Sequence, residues 1–331
     1  MTESDIVAGL LRPYRDMSLP SLVAEMRADA HEITSATVPH LVAFGELGPD
    51  AVVCLGPFGG DARWRNPLPL IRAGLLRRLI AGQRDEPAPA VLALPGPSRL
   101  PVLEQPEVRR ATARGDFTAV ADAYLTGLTD HGVRRILVFG FSQGASLAAH
   151  IAAHAPRHSV QVDSLGLADP PGLRRVALPA LVGRYVGEGP SMSRDVQRNP
   201  LAGYREAYRN LADGDRVRGV LGRLSLSLAL GRGHSRGTLS TAVRSVLARG
   251  VPVSIAVGGA SRLSPIADAL AFTQSLPVDS RLLCDVLAVT GRHHGWLHDT
   301  AMYLESQLVH LSHKSAFGRR EGAAPWPARI G

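Results

Sequence analysis

The sequence predicts an α/β fold, a mostly parallel sheet with helices on both faces, and three observations carry the prediction. Short apolar runs bounded by turn residues recur from Val38 onward, and helical patterns separate the later runs. One strand-to-helix junction is a serine bracketed by glycines, Gly140-Phe141-Ser142-Gln143-Gly144. Strands that alternate with helices are joined by crossovers that cover both faces of a parallel sheet.

Residues 1–36 place Leu22, Val23, Met26 and Ala30 at helical spacing, which predicts an N-terminal helical extension ahead of any strand. From residue 37 strands are expected in VPHLVAF, AVVCLG, AVLALPG, RRILVFG and SVQVDSLGLADP. Helices are expected in FTAVADAYLTGLTDHG and in ASLAAHIAAHAP, the second ended by Pro156. Over 171–250 the strand signal disappears, and arginine-rich sequence punctuated by Gly and Pro carries helical stretches at PLAGYREAYRNLADG and STAVRSVLARG. That segment reads as a helical cap insertion. The sheet pattern resumes at VPVSIAVGG and SRLLCDVLAVTG, and Met302, Leu304, Leu308 and Leu311 then mark an amphipathic helix. The core is therefore expected at 37–170 and 251–312, with 313–331 as a flexible tail.

A chain of 331 residues with 45% hydrophobic residues buries a large core as one elaborated domain. No run approaches the roughly 20 apolar residues of a membrane-spanning helix. The start, MTESDIVAGL, is acidic where an export signal is basic, so a cytoplasmic protein is expected. The net charge of +8 comes from arginines scattered over every segment, with Lys314 the single lysine, a pattern of base composition rather than of a nucleic-acid surface. Cys54 and Cys284 lie in predicted strands and read as buried thiols. His150, His154 and His158 sit on or beside a helix without metal-ligand spacing, so neither metal nor cofactor is expected.

The chemistry concentrates at Ser142. A GxSxG run after an apolar strand and before an alanine-rich helix forces the serine into a strained turn that lifts Oγ above the strand ends. The N–H of Gln143 then points, with the positive end of the helix, at charge developing on a carbonyl oxygen. A second donor is expected in the glycine-rich turn after AVVCL, at the N–H of Phe58. A serine hydroxyl needs a base. GRHHGWLHD follows the last predicted strand and offers His294, with His293 as the alternative.

In this order, LGPFGG, LPGPSRL, GFSQGAS, an insertion and GRHHGW, the chain resembles the α/β-hydrolase superfamily of lipases, esterases and peptidases over roughly residues 38–312. The resemblance implies an eight-stranded sheet, main-chain oxyanion donors, no cofactor and a cap that shapes the pocket for an acyl ester substrate. It also implies a carboxylate in the loop after the strand that follows the cap, where this chain has Ser261. Some lipases of the superfamily carry the acid one strand earlier, where this chain has Asp169, a residue whose place before two prolines also suits a turn former. The expected activity is ester hydrolysis through an acyl-enzyme. The alternatives are a Ser142–His294 dyad helped by water or Ser261, a thioesterase or peptidase, and a silent member of the fold that binds a small molecule. Tyr204, Tyr208 and Met192 are expected to pack within the cap or line an acyl site.

Overall fold

The computed structural model describes residues 2–57, 66–83, 87–212 and 224–314. Eight strands form one sheet: β1 (Ala30–Ile33), β2 (Leu41–Phe44), β3 (Asp50–Leu55), β4 (Ala90–Leu94), β5 (Arg135–Phe141), β6 (Gln161–Ala168), β7 (Val253–Gly258) and β8 (Cys284–Val289). Their spatial order is β1-β2-β4-β3-β5-β6-β7-β8. The pairs β1–β2 and β2–β4 are antiparallel, and the remaining pairs are parallel. The seven strands expected from the apolar runs are all present. β1 was not expected. The helical spacing seen through Met26 stops at Arg27, and Ala30–Ile33 is an edge strand instead. His31 and Glu32 are exposed on it, so it lacks the apolar signature of a buried strand, and charge at a sheet edge also discourages pairing with other chains.

The central strands are apolar throughout because both their faces are covered. Along β5, Ile136 and Val138 join one core while Leu137 and Phe139 join the other, as the twofold alternation of a strand requires. The first core contains α5 (Thr118–Asp130) and α6 (Gln143–His154), with α4 (Pro106–Ala113) beside it. The second contains α3 (Leu68–Gly82), the N-terminal helices α1 (Glu3–Leu11) and α2 (Leu19–Arg27), and the C-terminal helix α13 (Thr300–Lys314). Helices α11 (Ile266–Gln274) and α12 (Val278–Leu282) connect β7 to β8. Both cysteines lie in strands and neither forms a disulfide; Cys284 is buried and Cys54 partly so.

Among the described residues of 171–250 there are four helices: α7 (Leu178–Gln197), α8 (Ala202–Ala212), α9 (Leu224–Ser235) and α10 (Leu239–Leu247). They differ in what they cover. Ala242, Val243, Val246 and Leu247 of α10 belong to the first core and pack with α6, while Tyr204, Ala207 and Tyr208 of α8 belong to the second, beside α2. The N-terminal half of α7 leaves Val182, Tyr185 and Val186 exposed, whereas its C-terminal half buries Glu188, Ser191, Asp195 and Val196. Gly183, Gly187, Gly189 and Pro190 fall inside this helix. An interior proline costs about 3 kcal/mol and each glycine about 1 kcal/mol relative to alanine, so contacts with the rest of the molecule must hold α7 together.

The division between these helices is measurable. Leu247→Ala should lower the unfolding free energy by about 2–5 kcal/mol, the range for emptying a core leucine site. Val186→Ala on the exposed face of α7 should change it by no more than about 0.5 kcal/mol. Urea denaturation of both variants checks the assignment, and equal small effects would put α10 outside the core.

Candidate active site

Ser142 is the residue between β5 and α6, with φ 54° and ψ −121°. A side chain rarely adopts this left-handed backbone, and holding one there costs on the order of 1–3 kcal/mol. Two neighbours make room for the turn. A Cβ on Gly144 would come within 2.4 Å of the Gly56 carbonyl oxygen and 2.5 Å of that of Leu55, and one on Gly140 within 2.2 Å of the Gly144 oxygen. All of these are main-chain atoms that cannot yield. The Ser142 N–H donates to the Ala168 oxygen at 2.8 Å, so the ladder between β5 and β6 runs one step past the strands before the chain turns. Gln143 opens α6, and its N–H is one of those that a helix start leaves without an internal partner. Phe58, the other expected donor, lies outside the described residues.

His294 lies in the loop between β8 and α13, at the head of a short 3-10 turn, His294–His298. It is 1% exposed, and its ring stands over Phe141 with centroids 5.3 Å apart. Its Nε2 is 2.9 Å from Ser142 Oγ, across 152 residues of sequence. His293, the alternative base, faces away: its Nδ1 lies 3.6 Å from Glu188 Oε2 on α7.

Asp169 follows β6 directly, is fully buried, and also has positive φ, 44°. Its N–H donates to the Ala256 oxygen at 2.7 Å, extending the β6–β7 ladder as Ser142 extends the neighbouring one. Asp169 Oδ2 accepts the Gly258 N–H at 3.2 Å and the indole N–H of Trp296. Those two donors turn Oδ1 toward His294 Nδ1, 3.7 Å away, and neither of these atoms has another hydrogen-bond partner. The separation is longer than a hydrogen bond. Burial pushes the Asp169 carboxyl up, while His294, the Ser261 hydroxyl and the Gly258 N–H draw it down. Ser261, at the position where the resemblance implied an acid, is buried beside that carboxylate, and its Oγ accepts the Ser264 N–H at 3.2 Å.

The structure thus brings Ser142, His294, Asp169, Gln143 and Ser261 into one cluster at the carboxyl ends of β5, β6 and β7. Met192 lies against Gly295, and Tyr204 and Tyr208 are buried against His298. Of the other histidines, His150 is buried against Phe117, and His158 Nε2 is 3.0 Å from Asp122 Oδ1. No group of three or more His, Cys, Asp or Glu residues suited to a metal ion occurs among the described residues. None of the described helices is long and apolar enough to cross a membrane.

Two contributors were not visible in the pattern of motifs. Trp296, read only as part of a loop, supplies a hydrogen bond to Asp169. Glu188 is fully buried, accepts the His294 N–H at 3.3 Å on Oε2, and accepts the Arg262 N–H on Oε1. Its signal was available: residues 171–200 contain five arginines and only two carboxylates, Glu188 and Asp195. An acid between two glycines, in a segment where arginines outnumber carboxylates five to two, is an anomaly that local propensity does not explain.

No protein-family model matches the chain, and no curated protein matches it. Solved structures do. An α/β-hydrolase enzyme from a sediment metagenome of the Mar Chica lagoon, Morocco, superposes with a TM-score of 0.50 at 18% identity, covering 85% of this chain and 96% of its own. A bacterial membrane phospholipase A gives 0.50 at 18% identity over 88% and 91%. The naproxen esterase of Bacillus subtilis gives 0.50 at 11% identity over 89% and 97%. With an eight-stranded sheet in this order and the turn at Ser142, the chain has the α/β-hydrolase fold.

Proposed function

We propose that the protein is a serine hydrolase that cleaves a carboxylic ester of a small molecule through an acyl-enzyme on Ser142. The observation that carries this reading is the 2.9 Å contact between His294 Nε2 and Ser142 Oγ, with the Asp169 carboxylate behind the ring. With its proton on Nδ1, facing Asp169, the imidazole accepts the hydroxyl proton at Nε2 as Oγ attacks the ester carbonyl. The tetrahedral oxyanion takes hydrogen bonds from the Gln143 N–H and from Phe58. His294 then returns the proton to the departing alkoxide. A water molecule, deprotonated at the same nitrogen, hydrolyses the acyl-enzyme and restores Ser142. Nucleophile, base, acid and oxyanion donors all come from the chain, so the reaction needs no cofactor.

Burial strengthens each of these interactions, because Ser142 is 3% exposed and His294 and Asp169 less, and charges formed there are poorly screened. The silent reading of the fold rested on Ser261 at the usual acid position. A carboxylate 3.7 Å from His294 Nδ1 weighs against it. Two of the structural neighbours are named as an esterase and a phospholipase, which agrees with an ester substrate.

Labelling with a small fluorophosphonate, located by peptide mass spectrometry, should modify Ser142 in the wild-type chain and nothing in Ser142→Ala. A native protein that takes no label after long exposure would exclude an activated serine. Matched p-nitrophenyl ester, thioester and anilide substrates should rank with the ester turned over fastest; a faster thioester would reassign the leaving group.

The acid is tested separately. Asp169→Asn should lower kcat by about four orders of magnitude, the scale seen when a triad carboxylate becomes an amide. Ser261→Ala should lower it by less than about tenfold, because it takes away a neighbouring hydroxyl that lowers the Asp169 pKa and no charge. Near-normal turnover in the Asp169 variant would remove that residue from the triad.

A further inference from the structure

The loop that carries His294 is gripped from one side by a single helix. Both carboxylates of residues 171–200 lie on α7, and both are buried, Glu188 completely and Asp195 at 2% exposure. Buried charges persist only with partners. Asp195 Oδ1 is 3.2 Å from an Arg292 guanidinium nitrogen, and the other end of that guanidinium is 3.2 Å from Asp299 Oδ2, which ties the two ends of the loop together. Between them, α7 presses on the loop so closely that a Cβ on Gly295 would lie 2.6 Å from Met192 Cα.

Glu188 acts on the main chain itself. The His294 N–H is the first of the 3-10 turn, where no internal acceptor exists, and Glu188 Oε2 supplies one at 3.3 Å. The other oxygen accepts the Arg262 N–H. Arg262 follows Ser261, whose hydroxyl is a neighbour of the Asp169 carboxylate. One carboxylate therefore spans the loop behind the acid and the loop that bears the base.

We propose that Glu188 is a positioning residue for the reaction read above: by fixing the main chain at His294 and Arg262 together, it sets where Nε2 stands relative to Ser142 Oγ and Nδ1 relative to Asp169. It touches no reacting atom. The inference rests on the Ser142–His294–Asp169 reading, and a displacement of about 1 Å in such a constellation is worth on the order of a hundredfold in rate. A glutamine keeps the volume of Glu188 but has one acceptor oxygen in place of two, so one of the two N–H groups must face an NH2 group.

The test uses the full chain with p-nitrophenyl acetate. Glu188→Gln should lower kcat by about 10- to 100-fold with KM within about threefold of wild type, because the base is displaced while the substrate site is not. Glu188→Asp, which keeps both acceptor oxygens on a shorter arm, should fall between the two and serves if the glutamine variant does not fold. A kcat retained within twofold, or a change confined to KM, would overturn the proposal and leave Glu188 a part of cap packing. If the wild-type chain shows no Ser142-dependent turnover, the hydrolase reading fails, and hydrogen exchange then decides the positioning claim alone. Amides of 292–299 and 260–264 should exchange faster in Glu188→Gln than in wild type, and unchanged exchange in both segments would overturn it.

Discussion

The left-handed backbone at Ser142 is the constraint around which the rest of the molecule is arranged. A serine does not remain at φ 54° unless its surroundings leave no alternative. Here β5 is pinned in parallel register between β3 and β6, and the N-terminus of α6 is driven against the Leu55 and Gly56 carbonyls with no room for a side chain at Gly144. Two cores on opposite faces of the sheet keep those strands from shifting. The stability of the hydrophobic layers is thus what maintains the strain, and the strain is what presents Oγ to His294.

The same device appears twice. Asp169 leaves β6 as Ser142 leaves β5, each donating one more N–H to the adjacent strand and then turning through positive φ. Adjacent parallel strands end in register, so two such turns set Ser142 and Asp169 at a fixed offset before any loop is considered. The histidine has no strand end to fix it. Its loop leaves β8, two strands beyond β6, and the 3-10 turn it opens is only five residues long. The contacts from α7 supply from outside the sheet the rigidity that strand ends give the other two residues.

What could be read from the sequence follows this division. Runs buried on both faces, such as AVLAL, and the glycine bracket around Ser142 are dictated by local sterics and burial, and they identified seven strands and the serine. His294 was reachable because a base has to follow the last strand. β1 escaped because an exposed edge strand has no apolar alternation to display, and α7 escaped because three glycines and a proline argue against a helix that only its packing sustains. Glu188 and Trp296 act through contacts made 106 and 127 residues away in sequence. Spacing carries no trace of such pairs.

With Asp169 read as the proposed acid, the geometry tolerates a departure at Ser261. Moving a carboxylate from the end of β7 to the end of β6 shifts it by one strand spacing, about 4.8 Å, which an imidazole ring can follow by a change of tilt. The harder requirement is orientation, since a carboxylate free to rotate would not hold one oxygen toward Nδ1. Gly258 and Trp296 satisfy Oδ2, and the Ser261 hydroxyl stands beside the carboxylate from the loop after β7. An aspartate at 261 would set two carboxylates side by side in a buried site, where both cannot ionise without large cost. On the proposed reading of Asp169 as the acid, a serine suits position 261: a small hydroxyl that draws the carboxyl pKa down and adds no charge.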